Sequence, residues 1–159
     1  APPAVAGRSL RTETARVTAT LALSVDVDAP GEQTWAASVD WAAQGEWMLG
    51  TKVRATHQDG VGVGGRIEAY SGVRPLGFLD TMEITQWEPP RRCDVLHTGR
   101  VVRGTGTFLV QGDAPTCRLV WIEDLEIPGG RVATAAFVLG RRGFMAMIDL
   151  SLRRFARLV

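Results

Sequence analysis

Between Val17 and Val27 apolar and polar residues alternate. Val17, Ala19, Leu21, Leu23, Val25 and Val27 fall on one parity, and Thr18, Thr20, Ser24 and Asp26 on the other. Successive strand side chains point to opposite faces, so this spacing predicts a β-strand with one apolar face. The period then changes over DAPGEQTWAASVDWAAQGEWML. Asp28 is placed to cap a helix, Pro30 suits its first turn, and Glu32 faces the positive helix end. Trp35, Val39 and Ala42 share one face; Gly45 is expected to break the helix, and EWML to form a second short turn of helix. From Thr51 the two-residue period returns, interrupted at HQDGVGVGG, YSGVRPLG, EPPRR and QGDAP, whose glycines and prolines mark turns. Six more strands are predicted, roughly 51–57, 63–71, 78–88, 93–102, 105–111 and 117–127. After Pro128-Gly129-Gly130 the pattern is helical to the end. Val138, Met145, Ile148, Leu152, Phe155 and Val159 form an apolar stripe, and Arg142, Asp149, Arg153 and Arg157 a polar one. Gly140 and Gly143 each weaken this helix by about 1 kcal/mol relative to alanine, and mark a bend or a close contact.

Seven strands joined by short turns argue for an antiparallel meander. Its apolar face needs a cover, and the C-terminal helix is the element long enough to supply one, so the sheet must curl around it. The expected fold is α+β: a seven-stranded curled antiparallel sheet gripping a long C-terminal helix, with two short helices after the first strand closing one end. Such a grip leaves a cavity between sheet and helix. Residues 1–16, rich in Pro, Ala, Arg and Thr and without periodicity, read as a loose arm. Residues 17–159 read as one domain.

Composition narrows the picture a little. The chain has 159 residues, enough for one domain with its own core. The net charge of +1 gives no reason to expect a nucleic-acid or acidic-membrane partner. No apolar run approaches the roughly 20 residues of a membrane span, which speaks against integral membrane association. APPAVAGRSLRTETAR lacks the apolar core of a signal peptide, so the expected location is cytoplasmic. Cys93 and Cys117 lie far apart and outside any CxxC spacing, and read as two reduced thiols.

At this point the sequence resembles a known superfamily. VDAPGEQTW at the first helix, TMEITQWEPPRRCDVLHTG across two strands and WIEDLEIPGG before the last helix carry the likeness. With the element order, they resemble the helix-grip fold of the birch-pollen allergen, START lipid-transfer domains and bacterial polyketide cyclases, the SRPBCC superfamily. WEPPRR is similar to the turn of polyketide cyclase/dehydrase-like members, where a strand ends in an acidic residue, prolines and arginines. The resemblance implies a pocket for a hydrophobic ligand under the long helix. It implies no single reaction, since one fold hosts many functions, and no cyclase active site maps residue by residue onto this chain.

The candidate chemistry begins at Glu123. It shares parity with Cys117, Leu119, Trp121, Leu125 and Ile127, the apolar side of a strand. Burying an unpaired charge costs several kcal/mol, so this position needs a reason. Neighbouring strands place Phe78, Asp80, Met82 and Ile84, then Val95, His97, Gly99 and Val101, then Phe108 and Val110, on the same inward parity. His57 shares parity with Val53 and Ala55. Asp80, His97 and Glu123 are therefore expected on one cavity wall. Desolvation there would raise a carboxylate's pKa and make it a usable acid or base. The alternative is a structural network that satisfies a polar patch of wall. Arg66 belongs to GGRIEAY, which offers two parities: Arg66, Glu68 and Tyr70 inward to meet an anionic or carbonyl group, or Ile67 and Ala69 inward with Arg66 on the surface. Trp41 and Trp47 are core residues by default and candidates to border the cavity mouth.

GVGVGG at 60–65 matches GxGxxG by count, but a strand pattern follows where a dinucleotide site needs a helix. His57 and His97 lack metal-ligand spacing, so no metal is expected. No serine sits in a nucleophile elbow. The expected function is binding of a small hydrophobic molecule, aromatic or polyketide-like, with no cofactor and no nucleic acid. The expected wall is Trp41, Trp47, Asp80, Met82, His97, Phe108, Trp121, Glu123, Met145 and Ile148. The alternatives are a cofactor-independent cyclase, aromatase or dehydratase using Glu123, His97 or Arg66, and an interaction module with a vestigial pocket.

Overall fold

The computed structural model describes residues 17–73, 75–112, 115–127 and 130–159. The expected N-terminal arm and the Pro128-Gly129 turn lie outside the described residues. Chain order is β1 (Val17–Val27), α1 (Gly31–Ser38), α2 (Gln44–Trp47), β2 (Thr51–His57), β3 (Arg66–Val73), β4 (Leu76–Glu88), β5 (Arg92–His97), β6 (Gly104–Gln111), β7 (Cys117–Ile127) and α3 (Gly130–Leu158). One sheet holds all seven strands in the order β1-β7-β6-β5-β4-β3-β2, each neighbouring pair antiparallel. Strands β2 to β7 form the meander, and β1 adds to it along β7. No described helix is long and apolar enough to cross a membrane.

Alternation in β1 does what its period predicts: Leu21 and Val27 are buried while Asp26 and Ser24 face out. The helical segment differs in detail. Pro30, not Asp28, occupies the N-cap position of α1, and no side chain caps it. Gly45 lies inside α2 instead of ending a helix, and Ala42 is exposed. Strand ends also move. β3 begins at Arg66 because residues 58–65 fold into a tight turn whose Gly64 N–H donates to the Ile84 carbonyl, 2.8 Å away. Gly60 is required in that turn: its φ is +67°, and a Cβ there would sit 2.5 Å from Trp41 Nε1. The Trp41 indole N–H instead donates to the Gly60 carbonyl at 2.8 Å. β5 stops at His97, leaving Val101 exposed beyond it.

α3 is packed along only part of its length. Ile148, Leu152 and Phe155 are buried against the sheet and α2, and the Ser151 hydroxyl accepts the Leu49 N–H at 3.1 Å. The first half of the helix is different, with Val138 62% and Leu139 83% exposed. The apolar stripe expected through Val138 and Met145 is thus not the inward face there. Phe137, Gly140, Arg141 and Phe144 turn toward the sheet, one helical position away. Cys93 and Cys117 are buried free thiols. Burial, and then the Asp94 charge, push the Cys93 thiol up to about 12.

Candidate functional site

Between the sheet and α3 lies a cavity of about 490 Å³. Its floor comes from inward residues of six strands, including Val53 of β2, Ile67 of β3, Met82 of β4, Val95 of β5, Phe108 of β6 and Trp121 of β7. Phe137, Phe144, Met147 and Ile148 of α3 form the roof, and Trp41, Gln44 and Met48 close one side. Alternation produces this lining: every second residue of a curled antiparallel sheet points into the concave side.

Three ionisable residues interrupt the apolar wall. His97, at the end of β5, lies between two carboxylates. Its Nδ1 is 2.7 Å from Asp80 Oδ2 and its Nε2 is 3.0 Å from Glu123 Oε2. All three residues are at least nine-tenths buried. The second Glu123 oxygen accepts the Trp121 indole N–H at 2.6 Å. Strand register positions Glu123 between Leu21 of β1 and Gly106 of β6. Gly106 makes the room, because a Cβ there would lie 3.1 Å from Glu123 Oε1 and the same distance from Val95 Cγ2. Asp80 reaches His97 because β4 pairs Met82 with His97 and then runs on past the end of β5. Among the described residues Asp80 Oδ1 is buried with no hydrogen-bond partner.

Burial pulls the His97 pKa down, but hydrogen bonds to Asp80 and then Glu123, with the charges of both carboxylates, overrule it and push the value up to about 9. Near neutral pH the ring is an imidazolium whose two N–H groups donate to two carboxylates. Both nitrogens are occupied, so His97 is not free to accept a proton. Among the described residues no cluster of His, Cys, Asp or Glu offers a metal-ligand set. A folded-state pKa above the ordinary 6.5 means that folding favours the protonated ring. Its contribution is full below about pH 6.5 and is lost as pH rises through about 9. That contribution is on the order of 3 kcal/mol. Urea unfolding from pH 6 to pH 10 is expected to show stability falling across that window; a flat profile would mean a neutral His97.

Of the wall expected from sequence, Trp41, Asp80, Met82, His97, Phe108, Trp121, Glu123 and Ile148 line the cavity. Trp47 does not. It is buried in the core behind the wall, edge-on to Phe155 with ring centroids 5.0 Å apart and to Trp121 at 6.4 Å. Met145 is half-buried on the neighbouring helix face, outside the lining. Arg66 is on the surface: Ile67 and Ala69 take the inward positions, and Arg66 Nε donates to Glu83 at 3.1 Å. His57 is exposed. Phe137, Phe144 and Met147 are lining residues that sequence reasoning missed. The seven-residue interval between the two phenylalanines was the available signal, since it repeats one helix face every two turns.

Residues 15–159 match the family described as polyketide cyclase / dehydrase and lipid transport. A Thermus thermophilus protein superposes with a TM-score of 0.73 at 12% identity, over 87% of this chain and 95% of that one. The Zhui aromatase/cyclase from Streptomyces sp. R1128 gives 0.65 at 17%, over 90% and 97% of the two chains. A polyketide-cyclase-like protein of Corynebacterium glutamicum gives 0.62 at 17%, over 87% and 90%. At these identities the likeness is one of fold. No curated protein matches the chain.

Proposed function

The chain belongs to the polyketide cyclase / dehydrase and lipid transport family, and from that premise we propose that it binds a small, largely apolar molecule, aromatic or polyketide-like, between the sheet and α3. The observation that carries this reading is an apolar cavity of about 490 Å³ with one polar constellation on its wall. Ligand sites of this size, apolar with a few placed polar groups, are common. In this reading Asp80, His97 and Glu123 act as a fixed anchor. Each carboxylate oxygen can accept more than one hydrogen bond, so the set can take one from a ligand hydroxyl without releasing His97. An open cavity argues against a vestigial pocket.

A second reading, a cofactor-independent cyclase, aromatase or dehydratase, draws on the same three residues. A buried imidazolium beside a cavity is a proton source, and the Glu123 carboxylate beside it is the base that would return the proton. Arg66, paired with Glu83 on the outer surface, has no part in it. Binding is favoured because His97 has both nitrogens engaged.

Titration of tryptophan fluorescence with fatty acids, sterols and polycyclic phenols separates these readings, since Trp41 and Trp121 line the cavity. The expected result is saturable quenching by the phenols. Glu123→Gln is expected to weaken a hydroxylated ligand by about tenfold, the value of a hydrogen bond to a charged group, and to leave its deoxy analogue unchanged. No saturable response to any class would sink the binding reading. Ligand turnover that Glu123→Gln abolishes while binding persists would decide for the enzyme.

A further inference from the structure

Exposed apolar side chains stand at the end of the sheet where the lining residues Phe78 and Phe144 are themselves more than a third exposed, 39% and 37%, which marks the cavity mouth. Strand register sets Leu125, Gly104 and His97 along one end of the sheet. The β3–β4 hairpin overhangs that end: β4 last pairs with β5 at Met82–His97, but stays paired with β3 as far as Leu76–Val73. At its tip Val73 is 79% and Leu76 84% exposed. Val101 stands out of the β5–β6 connection, and Leu139 out of the first half of α3. These three segments border the opening, where Phe78, Val102, Phe137 and Phe144 line the cavity.

Arginine outnumbers carboxylate at the same end. Arg100, Arg103, Arg141 and Arg142 are exposed at this end. None is in an ion pair among the described residues. The carboxylates near them are Asp124, which accepts from Thr20, and the half-buried Glu126. The opposite end is mixed: Asp28, Asp59 and Glu88 lie there, where β1, β2 and β4 finish, beside Arg91, Arg92 and Arg118, where β5 and β7 begin. A net charge of +1 does not show this local excess of arginine at the mouth.

We propose that the cavity mouth docks on an anionic lipid bilayer surface. Val73, Leu76, Val101 and Leu139 enter the headgroup layer, and the four arginines pair with lipid phosphates. Apolar tips ringed by arginine are the two signals that together hold a peripheral protein on such a surface. An acidic protein partner would satisfy the arginines. It is disfavoured because the apolar residues stand on separate protruding segments, not along one groove. The inference rests on the surface and holds whatever the cavity carries. Its consequence is that an apolar ligand passes between bilayer and cavity without crossing water.

The test is cosedimentation of the full chain with phosphatidylcholine vesicles, with and without phosphatidylserine, at low and high salt. The expected result is binding that requires phosphatidylserine and weakens with salt. Each arginine near an anionic surface is worth about fivefold in partitioning, so Arg100→Glu with Arg103→Glu should cost about 25-fold or more. Leu76→Asp, at an exposed position the fold tolerates, should also lower binding, while Arg157→Glu should leave it unchanged. Absence of binding, binding indifferent to the mouth substitutions, or equal loss in Arg157→Glu would overturn the proposal. So would capture of an acidic polypeptide with no vesicle binding. Tryptophan titration without vesicles reports on the cavity separately.

Discussion

Replacing His97 with alanine is expected to destabilise the fold by about 3–5 kcal/mol at neutral pH, the cost of removing one partner from a buried ion pair. Two carboxylates, Asp80 and Glu123, are left facing an empty imidazole site, each within a residue at least nine-tenths buried. Trp121 still serves one Glu123 oxygen, but Asp80 loses the one hydrogen bond its carboxylate makes. Urea unfolding measures the loss. The pH dependence gives it a signature: the variant's profile should lack the decline between about pH 6.5 and 9 that His97 gives the parent. A loss below about 1 kcal/mol, typical of an exposed pair, would mean that the three residues are solvated and do not form a buried network.

Phe155→Ala is expected to cost a similar amount, about 3–5 kcal/mol, for a different reason. Phe155 is fully buried and packs edge-on to Trp47, centroids 5.0 Å apart, where the tail of α3 meets α2. Truncation removes the ring's transfer energy and leaves a cavity that rigid neighbours cannot fill. In a domain of this size that should lower Tm by about 10 °C. Leu139→Ala is the matched control: at 83% exposure it should change stability by about 0.5 kcal/mol or less. Equal losses in the two variants would mean that α3 is anchored along its whole length.

How much of this was legible in the sequence depends on which period carried the information. Strand parity is strict, so Glu123, Asp80 and His97 could be assigned to one face from spacing alone. What parity cannot give is register: the pairing of Met82 with His97, and the run of β4 beyond it, decides that Asp80 reaches the ring. Arg66 stands next to a glycine turn, where a one-residue slip exchanges the faces. Ile67 and Ala69 win the interior because burying Arg66 offers nothing to offset its desolvation. Trp47 is bulky and near the right helix, but its depth behind the cavity wall is a tertiary fact. A single apolar stripe along α3 describes a helix that meets a core over its whole length. Only the part from Ile148 onward does, so the phase shifts where the helix spans the cavity.

The uneven packing of α3 also separates two kinds of selection. Leu152 and Phe155, which hold the helix down, do not line the cavity; Ile148 does both, and Phe137, Gly140, Arg141 and Phe144, over the first part of the roof, contribute little to the packed core. Gly140 in particular has open space around it. Substitutions at these four positions can therefore reshape the cavity at little cost in folding, whereas a substitution at Ile148 would affect both. A chain built this way can change its ligand through few mutations, and the same four positions are where a redesigned specificity should begin.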